Sequence, residues 1–521
     1  MKEKIAAVST GLIDFIFWFL LIIFVPLFFV YGKGEHYYFS IYDIFKEVTI
    51  ESIAAVLLGL FILKVFGEKK VRIKYSPLLW PLILFFVSIL LSAIQAYNLH
   101  EAWVFIKRFL ANGIILFVMY NSITSRAQLR WYINCLVFIG SVISVYGICQ
   151  HMGIDFTELH QNFTGNSTFG NPNFASEYIL IIFPVALLLM FADVSAFGFL
   201  YYTAGALVML TFLILNKSRA VWIGGSVAGL SVAAFLLFNF FRGGIVYTGG
   251  KKELDHAKSV LKAFGIVAGL FIALIGLSFT PLGRTSHHLM TLRNMTRTVI
   301  KEVSTLKSLK ITKGEIIRGD TATQRLLIWK NALGMIRRNS ILGVGIGNFK
   351  IQYQPYRTAA EQKSTGPDIF VRRSHNEYVQ LLSEIGLFGM AFFLWVLITS
   401  IRMCVRIIKN SKSFYGQFLA IGIMLSLLST YVSIFFNFSL QTPTPAVTLF
   451  VVWTFLMAGY DDFLKKDEES RVFTNIFVQL RNALRWGLVP VALLFFLLPF
   501  WLVRPALAFY NYQFGQACEK M

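Results

Sequence analysis

The chain has 521 residues, of which 56% are hydrophobic and only 14% are charged. This composition excludes a water-soluble fold of this length, because such a fold needs far more charge on its surface. Lys and Arg number 48 against 27 Asp and Glu, which gives a formal net charge of +21. The four cysteines are scattered and form no CxxC pair, so they indicate neither a metal site nor a disulfide framework.

Apolar segments long enough to cross a bilayer recur from one end of the chain to the other. A bilayer core of about 30 Å requires roughly 20 apolar residues in a helix. The segments that meet this requirement lie near residues 11–31, 50–66, 77–97, 103–120, 131–150, 174–192, 197–215, 221–241, 263–280, 379–401, 416–436, 446–460 and 487–503. They predict an all-α polytopic membrane protein with about 12–13 transmembrane helices.

The basic residues of the loops indicate how these helices are oriented, because cytoplasmic loops carry an excess of Lys and Arg. If the N-terminus is cytoplasmic, the basic loop 67–76 falls on the cytoplasmic side. The short loops 98–102 and 437–445, which contain no Lys or Arg, then fall outside. The same alternation places one large loop, residues 282–378, on the outer side.

This large outer loop is strongly basic, with 17 Lys and Arg residues against 6 Asp and Glu residues. Long loops cross the membrane largely regardless of their charge, so the topology holds. The charge has two interpretations: a surface that contacts anionic lipid headgroups, or a site for a polyanionic substrate such as a lipid-linked pyrophosphate. Arginine suits the second, since its planar guanidinium binds phosphate oxygens bidentately and keeps its proton.

Two short polar motifs face the same outer side. Residues 169–174 read Phe-Gly-Asn-Pro-Asn-Phe, in which Asn171 followed by Pro172 predicts a helix N-cap and a proline in the first helical turn. Residues 216–220 form a tight turn between two spans, which places Arg219 at the membrane interface. Arg219 either extends to water as a structural residue or binds phosphate, and the turn alone favours neither.

The middle of the large loop predicts an amphipathic helix followed by a turn. Apolar residues recur there at helical spacing, with polar and basic residues between them, at Leu326, Trp329, Leu333 and Ile336. We expect this helix to lie on the membrane with Trp329 at headgroup depth. Residues 343–349, Gly-Val-Gly-Ile-Gly-Asn-Phe, are not a nucleotide-binding motif, because no strand precedes them, and we interpret them as a tight backbone turn.

A histidine directly precedes the next span. Residues 372–378 read Arg-Arg-Ser-His-Asn-Glu-Tyr, and Ser374 is expected to cap the following helix and to place His375 in its first turn. An imidazole near its normal pKa of about 6.5 accepts a proton at neutral pH. The neighbouring cations are expected to lower the pKa of His375 and so to favour its neutral, basic form.

In this order and spacing, the motifs resemble those of the O-antigen ligase/polymerase superfamily. The resemblance covers roughly residues 165–460, after a less specific group of N-terminal spans. The residues that carry it are Ser218-Arg219-Ala220, Gln324-Arg325 with Trp329, residues 343–349, residues 374–378, residues 381–389 (Leu-Leu-Ser-Glu-Ile-Gly-Leu-Phe-Gly) and residues 169–173.

The resemblance implies a GT-C-type glycosyltransferase of the Gram-negative inner membrane. Such enzymes transfer a glycan from undecaprenyl pyrophosphate to an acceptor hydroxyl on the periplasmic face. The essential histidine of the family corresponds to His375, and its phosphate-binding arginines correspond to Arg219 and Arg325. Arg372 and Arg373 are expected to help bind the pyrophosphate. The supporting residues expected around them are Asn173, Asn376, Glu377, Lys107 and Arg108.

The expected chemistry needs no metal. Pyrophosphate is already a good leaving group, so the site has to stabilise its departing charge, which preorganised arginines provide. The site also has to activate a neutral hydroxyl, which a histidine can do as general base. No Asp-x-Asp motif occurs in the chain, so a metal–diphosphate clamp is not expected. We expect a metal-independent displacement with inversion at the sugar, with no cofactor and no nucleic-acid partner.

Several functional alternatives stay open. The acceptor is a lipid A–core sugar, which we favour, a Ser or Thr hydroxyl of a protein, or the growing polymer itself. The longer C-terminal half is similar to that of protein O-oligosaccharyltransferases. A transporter or flippase of the lipid-linked glycan is the alternative from a different class. Lys107 and Arg108, inside the fourth span, either extend towards the interface or line the donor site.

The motifs and spans divide the chain into five predicted segments. We expect the transmembrane helices to contact membrane lipids. The segments are the N-terminal helices (1–164), the central helices with short periplasmic motifs (165–281), the large periplasmic loop (282–378), the C-terminal helices of the ligase core (379–460), and a charged stretch with an extra helix and a tail (461–521).

Overall fold

The computed structural model describes most of the chain. The described residues are 2–27, 38–68, 72–154, 165–241, 321–366, 368–464, 473–474 and 487–519, with the single residues 255, 258, 293 and 297. The predicted span near 263–280 and the first part of the large loop lie outside the described residues.

The described part of the chain is built almost entirely of helices. The helices before the large loop are α1 (Lys2–Leu27), α2 (Tyr38–Gly67), α3 (Leu79–Ser92), α4 (Leu99–Ser122), α5 (Arg126–His151), α6 (Pro172–Ala192), α7 (Ala196–Asn216) and α8 (Arg219–Phe241). The helices within and after it are α9 (Thr321–Arg338), α10 (Phe349–Gln352), α11 (Ala359–Thr365), α12 (Glu377–Asn410), α13 (Phe414–Ser433), α14 (Pro443–Leu464) and α15 (Leu488–Glu519). One short antiparallel pairing joins Arg72–Ile73 to Phe473–Thr474.

Ten helices of the described residues are long and apolar enough to cross a membrane. Two shorter apolar helices, Leu79–Gln95 and Leu488–Val503, coincide with two further predicted spans. Every predicted span except the one outside the described residues therefore corresponds to a helix. The predicted fold class, an all-α polytopic membrane protein, is confirmed, whereas the division into five segments stays a prediction.

The centre of the bundle is formed by α6, α13 and α14, which are buried over 83%, 78% and 72% of their apolar windows. Close approaches between these helices occur at glycines. A Cβ atom on Gly422 of α13 would lie 3.1 Å from the Cα atom of Val185 in α6. Helices in lipid associate through such small residues, because lipid supplies no hydrophobic force between them.

Helix α12 is interrupted at Gly386, whose φ of 66° and ψ of −171° are not helical. The first residues of the predicted turn at 343–349, together with Ser340 and Ile341 just before it, fill the gap that this interruption leaves. The backbone N–H groups of Val344 and Gly345 donate to the carbonyls of Ser383 and Glu384, at 2.9 and 3.0 Å. The backbone polar groups on both sides of the interruption are thus paired, as a membrane protein requires.

The residues 343–349, which we call the glycine loop, form the predicted tight turn. Gly343, Gly345 and Gly347 all have positive φ, between 73° and 92°. A Cβ on Gly345 would collide with Ala96, at the corner between α3 and α4. The loop is therefore rich in glycine because its backbone turns sharply and lies directly against two helices.

The large loop carries its own apolar core, formed mainly by Ile328, Ala332, Met335, Val344, Phe349, Tyr353 and Val371. The predicted amphipathic helix is present as α9, but its buried face differs from the predicted one. Leu333 is 48% exposed, and Ile328 and Met335 are buried instead. The buried face differs because α9 packs against α12 and against Val344 of the glycine loop; Ile336 is buried as predicted, and the expected position of the helix on the membrane stays a prediction.

Candidate functional site

Residues 374–376, which we call the histidine turn, form a sharp bend just before α12. His375 has a φ of 54°, in the left-handed region that residues with a side chain rarely adopt. The helix begins at Glu377 and is capped by Asn376, whose side-chain oxygen accepts from the N–H groups of Tyr378 and Val379 at 2.9 and 3.1 Å.

The prediction that Ser374 caps this helix, with His375 in its first turn, was therefore wrong. The bend at His375 directs the chain so that the next residue, Asn376, reaches the free N–H groups of the helix. Ser374 instead closes the turn itself, because its hydroxyl donates to the carbonyl oxygen of Asn376 at 2.7 Å.

The electrostatic surroundings of His375 favour its neutral form. Burial is the largest effect, and together with the positive charges of Arg325 and Arg373 it lowers the pKa of His375 to about 4. The structure therefore brings a predicted base together with two predicted phosphate-binding arginines, one from α9 and one from the segment before the turn. Arg219 and Arg372 have exposed side chains, so a ligand can reach both from solvent.

The ring of Phe438 lies at the meeting point of the outer motifs. The His375 imidazole contacts it edge-on at a centroid distance of 5.3 Å, and the guanidinium carbon of Arg373 lies 4.4 Å from the ring centroid. Phe174, from the first polar motif, contacts the same ring at 5.5 Å. Phe438 therefore links two motifs that are about 200 residues apart in the chain.

The segment that carries Phe438, residues 434–442 between α13 and α14, is held by a buried carboxylate. Glu177 of α6 accepts hydrogen bonds from Asn437 Nδ2 at 2.9 Å, from Ser439 Oγ at 2.8 Å and from the hydroxyl of Ser433. Sequence reasoning missed Glu177. The sequence did contain an indication of it, because Glu177 is a single carboxylate inside an apolar span. Such a group is costly in a membrane unless it has hydrogen-bond partners or a function.

Arg108 holds the other end of this segment. Its guanidinium donates to the carbonyl oxygen of Gln441 at 2.7 Å and pairs bidentately with Glu47 of α2, at 2.6 and 3.0 Å. The Gln441 side chain in turn donates to Glu377 at 3.4 Å. Arg108 thus supports the segment beside the histidine turn, and its charge is balanced by a carboxylate that sequence reasoning missed.

Lys107 is balanced in the same way, because its ammonium group lies 3.1 Å from a carboxylate oxygen of Glu51. Both carboxylates belong to the N-terminal half of α2. A lysine or arginine in a span is less costly when it is paired, which explains why these charges are tolerated. The donor-lining role considered for Lys107 and Arg108 stays a prediction, and their contacts favour a supporting one.

The two short motifs near Arg219 pack against each other. The hydroxyl of Ser218 donates to Asn173 Oδ1 at 2.9 Å, just before Arg219 begins α8. Asn171 caps α6, with Pro172 in its first turn, as predicted. Asn173 is therefore positioned to orient the turn that carries Arg219, which agrees with its predicted supporting role.

The described geometry combines His375 with the positive charges of Arg325 and Arg373 in a helical membrane protein. Such a site can accept a proton from a neutral nucleophile and stabilise negative charge beside it. No group of three His, Cys, Asp or Glu residues suited to a metal ion occurs within the described residues.

Residues 204–394 match a family model described as O-Antigen ligase. The predicted resemblance to this superfamily is thus confirmed over the matched residues, which contain Arg219, Arg325, His375 and the interruption at Gly386. The match supports an O-antigen ligase- or polymerase-like activity that uses lipid-linked glycans in general. A comparison with curated proteins found no match.

Proposed function

We propose that this protein is a GT-C-type glycosyltransferase that transfers a glycan from undecaprenyl pyrophosphate to an acceptor hydroxyl. The acceptor that we favour is a lipid A–core sugar, and the reaction takes place on the periplasmic face of the inner membrane. The observation that carries this proposal is that His375 and Arg373 contact the same ring, that of Phe438, with the positive charge of Arg325 also acting on the imidazole.

In the proposed reaction, the acceptor oxygen attacks the anomeric carbon of the donor sugar. His375 takes the proton of the acceptor hydroxyl, and this general-base contribution is typically about 10²–10⁴-fold. The bond between the anomeric carbon and the pyrophosphate breaks, and undecaprenyl pyrophosphate leaves with the electron pair. A single displacement of this kind inverts the configuration at the sugar.

The arginines have a separate task in this mechanism. Arg325 and Arg373, with Arg219 and Arg372, would bind the pyrophosphate oxygens and stabilise the charge that develops as the sugar departs. Guanidinium groups keep their charge throughout, so no metal ion is needed for this step.

Two acceptor alternatives remain within the same mechanism. A Ser or Thr hydroxyl would make the protein an O-oligosaccharyltransferase, and the end of a growing glycan would make it a polymerase. A flippase of the same lipid-linked glycan would use the arginines but would have no need of a base at residue 375.

The proposal is tested by reconstituting the full chain in proteoliposomes with undecaprenyl-pyrophosphate glycan. Lipid A–core, a Ser/Thr-containing protein and a second glycan-lipid are supplied in parallel. We expect glycan transfer to one of them, and loss of transfer in His375→Ala with folding intact. Movement of the donor across the membrane without transfer, unaffected in His375→Ala, would contradict the proposal and favour the flippase.

A further inference from the structure

The histidine turn needs support from outside itself. A residue with a side chain is strained in a left-handed backbone conformation, and it persists there only where its surroundings fix it. Two side chains bond to the backbone of Ser374, the first residue of the turn. Trp329 Nε1 donates to the Ser374 carbonyl at 2.8 Å, and the Ser374 N–H donates to Gln380 Oε1 at 2.9 Å.

The amide of Gln380 is itself fixed in orientation. Its Nε2 donates to Glu384 Oε1 at 2.8 Å, so its oxygen necessarily faces the histidine turn. Ser374, Gln380 and Glu384 are all nearly inaccessible to solvent. Hydrogen bonds in such a setting meet no competition from water, and each one fixes the geometry of the next.

Glu384 connects this chain of hydrogen bonds to the glycine loop. Its carboxylate accepts from the backbone N–H groups of Phe349, at 3.2 Å, and of Gly347. The loop is anchored in turn to the start of α4, where Asn348 and Asn98 exchange two hydrogen bonds of 2.8 and 3.2 Å. The start of α4, the glycine loop, α12 and the histidine turn therefore form one buried polar connection.

We propose that Gln380 and Glu384 are positioning residues, which set the orientation of the His375 imidazole through the backbone of Ser374. They act through the turn and not on the substrates. Their effect on turnover rests on the proposed function, whereas their effect on the geometry of the turn does not. Trp329 is the second support of the same turn, from the opposite side.

The direct test is Gln380→Met, which keeps the length of the side chain and removes both of its hydrogen bonds. Because a misplaced catalytic group costs up to about 10²-fold in rate, we expect kcat to fall roughly 10- to 100-fold, with a much smaller change in the KM for the donor. Trp329→Phe keeps an aromatic ring against Phe435 and removes the hydrogen bond to the Ser374 carbonyl. It should also lower kcat.

A second readout does not depend on activity. Diethyl pyrocarbonate modifies neutral imidazoles, and peptide mass spectrometry measures its rate at each histidine. We expect His375 to be modified several-fold faster in Gln380→Met, because a loosened turn exposes the ring. His151, on α5, is the internal control and should react at the same rate in both proteins.

The pH profile gives a third readout. The charged groups that act on His375 are Arg325 from α9 and Arg373 from its own segment. Greater exposure of the ring in Gln380→Met raises its pKa, so the acid limb of kcat/KM should move to higher pH. If this variant fails to fold, Glu384→Met, which removes the acceptor of Gln380 Nε2, is measured in the same way.

The controls separate this inference from the proposed function. Gln417→Met changes another buried glutamine, on α13. Its Nε2 donates to the carbonyl oxygen of Ile408 at 3.1 Å, and neither residue belongs to the candidate site. This change should lower the free energy of unfolding without changing kcat or the modification rate of His375. Wild-type kcat, modification rate and pH profile in folded Gln380→Met or Glu384→Met would overturn the positioning role. Wild-type transfer by His375→Ala would instead overturn the proposed function.

Discussion

His375 is the residue on which the chemistry depends, and its surroundings determine the pH range in which it can act. A histidine with a pKa of about 4 is neutral at physiological pH and can accept a proton. Protonation removes this ability, so kcat/KM should be constant near neutral pH and should fall only as the pH drops towards 4. The profile of kcat/KM reports the free protein, which is the state described here.

Arg325→Ala should change this profile in a defined direction. Removing a positive charge next to the imidazole makes protonation easier, so the pKa of His375 rises and the acid limb of kcat/KM moves to higher pH. Arg337→Ala, at the exposed end of α9, is the matched control and should leave the acid limb in place. An acid limb that is unchanged or lower in Arg325→Ala would contradict the described electrostatics.

The polar residues of the candidate site could be found from the sequence, but their partners could not. His375, Arg325 and Arg219 belong to short motifs with recognisable spacing. Glu47 and Glu177 lie alone in long helices, and their partners are distant in the chain, so no local pattern identifies them. Phe438 could not be distinguished from the other phenylalanines of the chain, because its role comes only from what it contacts.

At the scale of elements, the interruption of α12 joins the membrane helices to the large loop. Gly386 should not tolerate a side chain, because its φ is positive and a Cβ would overlap with the carbonyl oxygen of Ile341. We expect Gly386→Ala to lower the free energy of unfolding by roughly 1–3 kcal/mol and to reduce transfer. Thermal unfolding in detergent measures the first effect.

The matched control is Gly229→Ala in α8, where a Cβ would meet no atom within 4 Å. This change should be neutral or stabilising, since alanine favours a helix over glycine. Equal behaviour of the two variants would show that the interruption in α12 carries no strain.

The segment between α13 and α14 should depend on Glu177 in a comparable way. Glu177→Ala leaves three buried polar groups without their acceptor, and each orphaned group costs about 1–3 kcal/mol. We expect a lower unfolding temperature, and a lower rate of transfer because Phe438 is no longer fixed against His375. The control is Glu68→Ala, which removes a partly exposed partner of Lys64 at the end of α2. It should change neither the unfolding temperature nor the rate of transfer. A wild-type unfolding temperature in Glu177→Ala would contradict this role.

Helix lengths were predictable only where apolar residues extend over the whole helix. The predicted span 50–66 is part of the longer α2, whose additional N-terminal part carries Glu47, a charged residue that is paired with Arg108 of α4. The predicted span 379–401 is part of the 34-residue α12. Its interruption was not predicted, because a glycine within an apolar segment does not reveal its φ angle.

For the whole molecule, we expect glycan transfer to proceed without a metal ion. Guanidinium groups supply the positive charge that a metal would otherwise provide, so transfer in the presence of excess EDTA should equal transfer without it. The measurement is the initial rate in metal-depleted proteoliposomes. Loss of activity that Mg²⁺ or Mn²⁺ restores would contradict the metal-free mechanism.

The orientation of the helices in the membrane is a second property of the whole molecule. The basic loops predict an orientation in which the histidine turn, the glycine loop and residues 434–442 all lie on one side of the membrane. In the structure, the histidine turn contacts residues 434–442 and the glycine loop bonds to Ser383 and Glu384 of α12, whereas the side of the membrane on which they lie stays a prediction. Their convergence was predictable from loop alternation, whereas the hydrogen bonds that join them depend on backbone geometry that no sequence pattern encodes.

The central claim is that His375 performs the chemistry while the arginines bind the donor. It is tested most directly by measuring donor binding and single-turnover transfer separately, with undecaprenyl-pyrophosphate glycan, in wild type, His375→Ala and Arg325→Ala. The account predicts that His375→Ala binds the donor as well as wild type but fails to transfer its glycan, whereas Arg325→Ala binds it weakly. Transfer by folded His375→Ala at a rate close to that of wild type would contradict the account.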